Sequence, residues 1–142
     1  MPKVTQLDVS AYTIPTDFPE ADGTFEWDST TIVIVEVHAG GRTGLGFTYG
    51  DLAAARLIDR KLSQLILGQD AMAIAGCWMK MLHSVRNLGR PGVASHAIAA
   101  VDVALWDLKA RLLDTSLLTL LGRRRETVPS ACTRSWDRSS SF

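Results

Sequence analysis

The reading turns on residues 96–113, "HAIAAVDVALWDLKARLL", running from His96 to Leu113. The stretch is mostly apolar, yet it carries Asp102, Trp106 and Asp107. At about 100° per residue, a helix places the two aspartates about 140° apart around its axis. They cannot converge on one substrate atom or one metal from this element. Asp107 and Arg111 stand four apart, the spacing of an ordinary surface pair. The apolar residues fall into two stripes. Ile98, Val101, Leu105, Leu108 and Leu112 form one; Ala99, Val103, Trp106, Ala110 and Leu113 form the other. Asp102 and Lys109 occupy the seam between them. A surface helix carries one apolar stripe, so this one is patterned to lie between two layers.

Working outward, residues 3–14 alternate as a strand, with Leu7, Val9 and Ala11 on one face. Residues 15–29, "PTDFPEADGTFEWDS", read as a long polar loop holding two prolines, five acids and three aromatics. "TTIVIVEVH" is rich in β-branched residues and predicts a strand. Gly40 and Gly41 suit the positive φ angles of a tight hairpin. "RTGLGFTYG" predicts a third strand, with Leu45, Phe47 and Tyr49 on one face. Asp51 then predicts an N-cap for a helix whose stripe is Leu52, Ala55, Ile58, Leu62, Leu65 and Ile66, ended by Gly68. Asp70 predicts the cap of a second helix with Ile74, Cys77, Trp78, Met81, Leu82 and Val85 inward. "NLGRPG" breaks it, residues 96–113 supply the third helix, and "SLLTLLG" is a short apolar turn. Three strands followed by three helices define an α+β class, with a largely antiparallel sheet and a three-helix bundle.

Composition narrows the function. At 142 residues the chain suits one domain and is too short for a full (β/α)₈ barrel, which needs on the order of 200 to 250 residues. Lys plus Arg equals Asp plus Glu, 15 each. That balance gives no electrostatic reason to expect nucleic acid or an anionic membrane as partner. The Arg123–Arg125 run reads as a solvated linker. Cys77 and Cys132 are too few for a disulfide framework, and Cys77 reads as a buried thiol. No signal core or apolar run of roughly 18 residues is present, so a cytoplasmic protein is the expectation. "GLGFTYG" has the spacing G-x-G-x-x-x-G, one residue too long for a dinucleotide fingerprint; a strand with close backbone approach fits better. His38, His83 and His96 lack ligand spacing. The acids Asp17, Glu20, Asp22, Glu26 and Asp28 lack EF-hand order and read as a solvated loop.

The segments "AIAAVDVALWDLKARLLDTSLLTLLG", "DSTTIVIVEVHAGGRTGLGFTYGD" and "GRPGVASHAIAAVD" resemble the N-terminal capping domain of the enolase superfamily, mandelate racemase and muconate lactonizing type. The resemblance covers roughly residues 3–129. It implies a family in which a base on a C-terminal barrel abstracts the proton α to a carboxylate, often of a sugar acid, and Mg²⁺ stabilises the enediolate. It implies a capping domain over residues 1–122 and a link at 123–129 to a missing barrel; residues 130–142, serine-rich and without helical or strand period, read as a disordered tail outside the family pattern. No Lys-x-Lys base motif occurs in this sequence, so no catalytic residue is carried over and no cofactor is expected in this chain; Mg belongs to the intact family enzyme.

Two loops of such a domain close over the barrel mouth. On that resemblance Phe18, Phe25, Trp27, Thr48 and Tyr49 are the candidate substrate-facing residues. The competing expectation is that these aromatics pin a long loop to the sheet. The expected partner is a missing or separately encoded barrel, with a homo-oligomer left open. A truncated or frameshifted gene product, inactive alone, is the simplest expectation. A stand-alone binding module using the second stripe of the third helix is the alternative.

Overall fold

The structure is a computed structural model and describes residues 1–128; the expected tail at 130–142 lies outside the described residues. Three antiparallel strands come first, β1 (Val4–Ala21), β2 (Glu26–Ala39) and β3 (Arg42–Tyr49), paired in the order β1-β2-β3. Helices follow: α1 (Leu52–Leu57), a π-helical turn (Ile58–Leu62), α2 (Ser63–Ile66), α3 (Ile74–Ser84), α4 (Val93–Leu112) and the short α5 (Leu117–Leu121). The expected α+β order is the observed one.

The sheet has two unlike faces. Val33, Val35 and Val37 of β2 are fully buried, and their neighbours Leu7, Val9 and Ala11 pack against the same core. The opposite face carries Tyr12, Ile32, Ile34, Phe47 and Tyr49, and no helix among the described residues lies over it. Leu45, Phe47 and Tyr49 do share a face, but it is the outer one, between 47% and 61% exposed.

α4 lies on the inner face of β3 and β2. Its seat is made by two glycines. A Cβ on Gly44 would overlap the Ala104 carbonyl and Leu108 amide, and one on Gly46 the Ala100 carbonyl. Absent side chains on the strand and alanines on the helix let the two backbones approach closely. The glycine-rich stretch is therefore a packing device, as its spacing predicted. Ile98, Val101 and Leu105, also buried, complete the core that α1 and α3 share with α4. The sheet on one side and α1 and α3 on another thus supply layers for α4, the helix patterned to lie between two. Of the second stripe Ala110 is buried, Trp106 is half-buried, and Ala99, Val103 and Leu113 stay exposed.

Three local expectations change. Residues 15–29 are mostly strand: β1 runs to Ala21 and β2 starts at Glu26, with the turn at Asp22–Phe25. β1 is an edge strand, where Pro15 and Pro19 cost no ladder hydrogen bond on the free side. Pairing jumps from Pro15↔Ser29 to Glu20↔Trp27, so residues 16–19 bulge opposite Asp28. Asp22 orders the tip. Its Oδ1 accepts from the Thr24 hydroxyl and from the Thr24 and Phe25 amides, which holds its carboxyl below the usual range. Asp70 does not cap α3, which begins at Ile74 without a side-chain cap. Its carboxylate accepts from Met72 N at 3.0 Å, in the turn that ties down the N-terminus through Ala71 N and Pro2 O. Asp107 is no simple surface residue, because its Oδ2 accepts from Leu45 N and Arg111 Nε, both at 2.8 Å. Asp51 does cap α1, accepting from Ala53 N, and Gly68 takes φ 76° after α2.

Candidate functional site

A concavity lies beside the bulge in β1. Residues 16–19 bow away from the ladder, opening a groove of about 490 Å³ on the outer side of the sheet. Ile14, Pro15, Thr16 and Glu20 of β1 form one wall; Trp27, Thr30 and Ile32 of β2 form the floor; Tyr49 of β3 closes the other side. Glu20 Oε2 accepts from Trp27 Nε1–H at 2.9 Å, which fixes the indole across the ribbon. Phe25 stacks on Trp27 at 6.2 Å between centroids, with 15° between the planes. Tyr49 meets Phe47 edge-on at 6.1 Å, and its ring is 61% exposed. Thr16 Oγ1 is buried with no hydrogen-bond partner among the described residues, so the groove holds an unsatisfied polar atom.

Of the five candidate residues, Trp27 and Tyr49 meet in this groove. Phe25 supports Trp27 from behind. Phe18 is 74% exposed and does not line the groove. Thr48 projects to the helix side of β3, and its hydroxyl donates to the Tyr49 carbonyl at 3.1 Å. Glu20, Thr16 and Thr30 were not among the sequence candidates. Glu20 had stood only in a list of loop acids, and Thr16 enters the groove through a register jump that simple alternation does not reveal.

Chemically, the groove offers a flat indole, a phenol, two threonine hydroxyls and one carboxylate. That set suits stacking on, and hydrogen bonding to, a polyhydroxylated ligand. It does not supply a base poised beside a nucleophile. The residues also do not fit a magnesium site, because among the described residues no three His, Cys, Asp or Glu side chains come together to hold a metal ion.

Two other polar clusters lie elsewhere. Asp102, half-buried, lines a cavity of about 190 Å³ between α3 and α4 with Trp78, Leu82, Arg90 and Ser95, and burial raises its pKa. Arg90 sits 5.6 Å over the Trp78 ring. On the outer sheet face Thr43 Oγ1, His38 and Asp8 form a hydrogen-bonded chain across β3, β2 and β1, at 2.9 and 3.0 Å. The arrangement resembles a hydrolytic triad, but it lies on an open surface outside either concavity, and cross-strand pairing accounts for it. No helix among the described residues is long and apolar enough to cross a membrane.

A three-stranded antiparallel meander followed by helices, with a groove on its outer sheet side, defines an α+β domain. The family model for the N-terminal domain of mandelate racemase and muconate lactonizing enzymes matches residues 10–122, and the chain belongs to that family. A 3,6-anhydro-α-L-galactonate cycloisomerase of Streptomyces coelicolor is 36% identical over 128 residues, covering 87% of this chain and 36% of the relative. A mandelate racemase/muconate lactonizing enzyme-like protein of Rubrobacter xylanophilus superposes with a TM-score of 0.82 at 54% identity, covering 84% of this chain and 33% of that one. L-Talarate dehydratase of Polaromonas sp. JS666, solved with Mg and L-glucarate, gives 0.80 at 32% identity, covering 90% and 37%. The chain thus spans about a third of the length of the relatives it matches.

Proposed function

We propose that this chain is the capping domain of a Mg-dependent sugar-acid dehydratase or cycloisomerase, and that the β1–β2 groove is its substrate-facing surface. The observation that carries this reading is the convergence of Trp27 and Tyr49, from two different segments, on one groove with Thr16, Thr30 and Glu20. Trp27 gives the substrate a face to lie on, and Tyr49 and the threonines hydrogen-bond its hydroxyls. Glu20 holds the indole in place through its N–H. Phe25 stiffens the indole from the other side. The base that removes the α proton, and the acids that hold magnesium, belong to the barrel that accompanies this domain in the longer relatives.

On this reading the chain alone selects but does not convert. Purified chain incubated with galactarate in D₂O shows no loss of the α-proton NMR signal; exchange above the buffer control contradicts the proposal. Translation of the DNA beyond the Phe142 codon in all three frames tests the fragment part. A barrel-coding segment supports it, and the lack of one in every frame sinks it.

The buried core favours a second reading, an independently folding module. Val33, Val35, Ile58, Leu62, Met81 and Leu105 are fully buried, and no polar or charged residue is buried among the described residues.

A further inference from the structure

Away from the groove, the cavity of about 190 Å³ between α3 and α4 is lined by two opposite charges that do not pair. Asp102, on α4, is half-buried and has no ionic or hydrogen-bond partner among the described residues. Lys109, two turns further along α4, is turned elsewhere: it lies 5.3 Å over the Trp106 ring and donates to the Met72 carbonyl at 3.3 Å. Arg90, on the link between α3 and α4, lays its guanidinium 5.6 Å over the Trp78 ring. No carboxylate among the described residues pairs with it. A half-buried carboxylate without a partner costs folding free energy. Charges kept at such a cost concentrate where ligands bind.

The link that carries Arg90 is held in place. Gly89 and Gly92 take φ angles of 83° and 81° on either side of it, and Ser95 Oγ donates to the Arg90 carbonyl at 2.6 Å, tying the link to the first turn of α4. The contact with Trp78 occupies one face of the guanidinium and leaves its N–H edges for a planar anion. Trp78, Leu82 and Ile98 supply an apolar wall between the two charges.

We propose that this cavity binds a small free α-amino acid with an aliphatic side chain. Its ammonium meets Asp102, its carboxylate lies on the N–H edge of Arg90, and its side chain rests on Trp78, Leu82 and Ile98. A simple cation leaves Arg90 unanswered and is repelled by it, and a simple anion is repelled by Asp102; a zwitterion satisfies both. At about 30 Å³ for each water displaced, the cavity accommodates roughly six to eight non-hydrogen atoms, the size of valine. The inference uses no residue of the β1–β2 groove and stands or falls separately from the capping role.

The test titrates the intact, isotope-labelled chain with L-valine, isobutylammonium and isovalerate, following by NMR the indole N–H signal of Trp78, assigned by its loss in Trp78→Phe. L-Valine is expected to move that signal saturably and to bind at least about tenfold more tightly than either single-charge analogue. Asp102→Asn and Arg90→Gln are each expected to weaken valine binding about tenfold, with Arg90→Lys falling between Arg90→Gln and the unsubstituted chain. Phe18→Ala, on the distant hairpin, is expected to leave it unchanged. Circular dichroism verifies folding, and because Asp102 and Arg90 sit on different elements, either variant reads the site if the other unfolds. The lack of a saturable shift by about 50 mM valine overturns the proposal. Isobutylammonium binding as tightly as valine overturns it by marking a cation site, and isovalerate doing so overturns it by marking Arg90 alone. Unchanged valine affinity in folded Asp102→Asn or Arg90→Gln overturns it as well.

Discussion

Asp107 and Asp102 show how one helix gives the same residue type two different tasks. Asp107 faces the free edge of β3 and receives the Leu45 amide, a donor that the strand ladder leaves unpaired. It also receives Arg111, and its side chain is only 19% exposed. Hydrogen bonds to a charged group contribute about 1.5–3 kcal/mol. Asp107→Ala is therefore expected to lose about 2 kcal/mol in denaturant unfolding, and Arg111→Ala well under 1 kcal/mol, because an exposed ion pair contributes little. Asp102 is the opposite case, half-buried with no ionic partner among the described residues. Its folded pKa lies above its unfolded value of about 3.9. Protonation therefore favours the fold below the unfolded value, and that stability is lost as pH rises through the folded one. Asp102→Asn is expected to raise the Tm at pH 7, with the gain shrinking as pH falls toward 4. A Tm lowered at pH 7 would show that the carboxylate has a partner.

Among the elements, α4 and β3 form the joint that holds the domain together. The approach of the two backbones at Gly44 and Gly46 leaves no room for a methyl group. Overpacking of this kind costs about 1–3 kcal/mol, more where backbone is the obstacle. Gly46→Ala is expected to lower the Tm by several degrees or prevent folding, while Gly76→Ala, where nothing lies within 4 Å of the added carbon, is expected to be neutral or stabilising. Half of this joint was legible in the sequence, because glycine on alternate strand positions reads as a strand with close backbone approach; that α4 is what approaches is a tertiary fact. The long hairpin was not legible. Prolines, acids and a glycine in residues 15–29 read as loop, since turn chemistry and edge-strand chemistry use the same residues. What separates them is the ladder partner, and that is a tertiary fact. For the same reason Thr16 and Glu20 went unnamed, because the bulge that turns Thr16 into the groove has no local signal, whereas Trp27 and Tyr49 were named through the family resemblance.

For the whole molecule, the question is whether a domain that spans a third of its relatives holds its own fold. The sheet, α1, α3 and α4 share one continuous core. Thermal unfolding of the chain is therefore expected to be a single cooperative transition, followed by circular dichroism and calorimetry. Strong dye binding with a broad, non-cooperative melt would instead mark a domain that needs its barrel to fold.

The central claim is that the β1–β2 groove reads the substrate. It is tested most directly by placing residues 1–122 of this chain on the barrel of the Polaromonas L-talarate dehydratase and measuring steady-state dehydration of L-talarate. With folding verified, Trp27→Ala and Tyr49→Phe in the chimera are predicted to lower kcat/KM about tenfold or more, equivalent to about 1.4 kcal/mol. Phe18→Ala, outside the groove, is predicted to change it less than about twofold. An active chimera in which the groove substitutions leave kcat/KM unchanged would contradict the account.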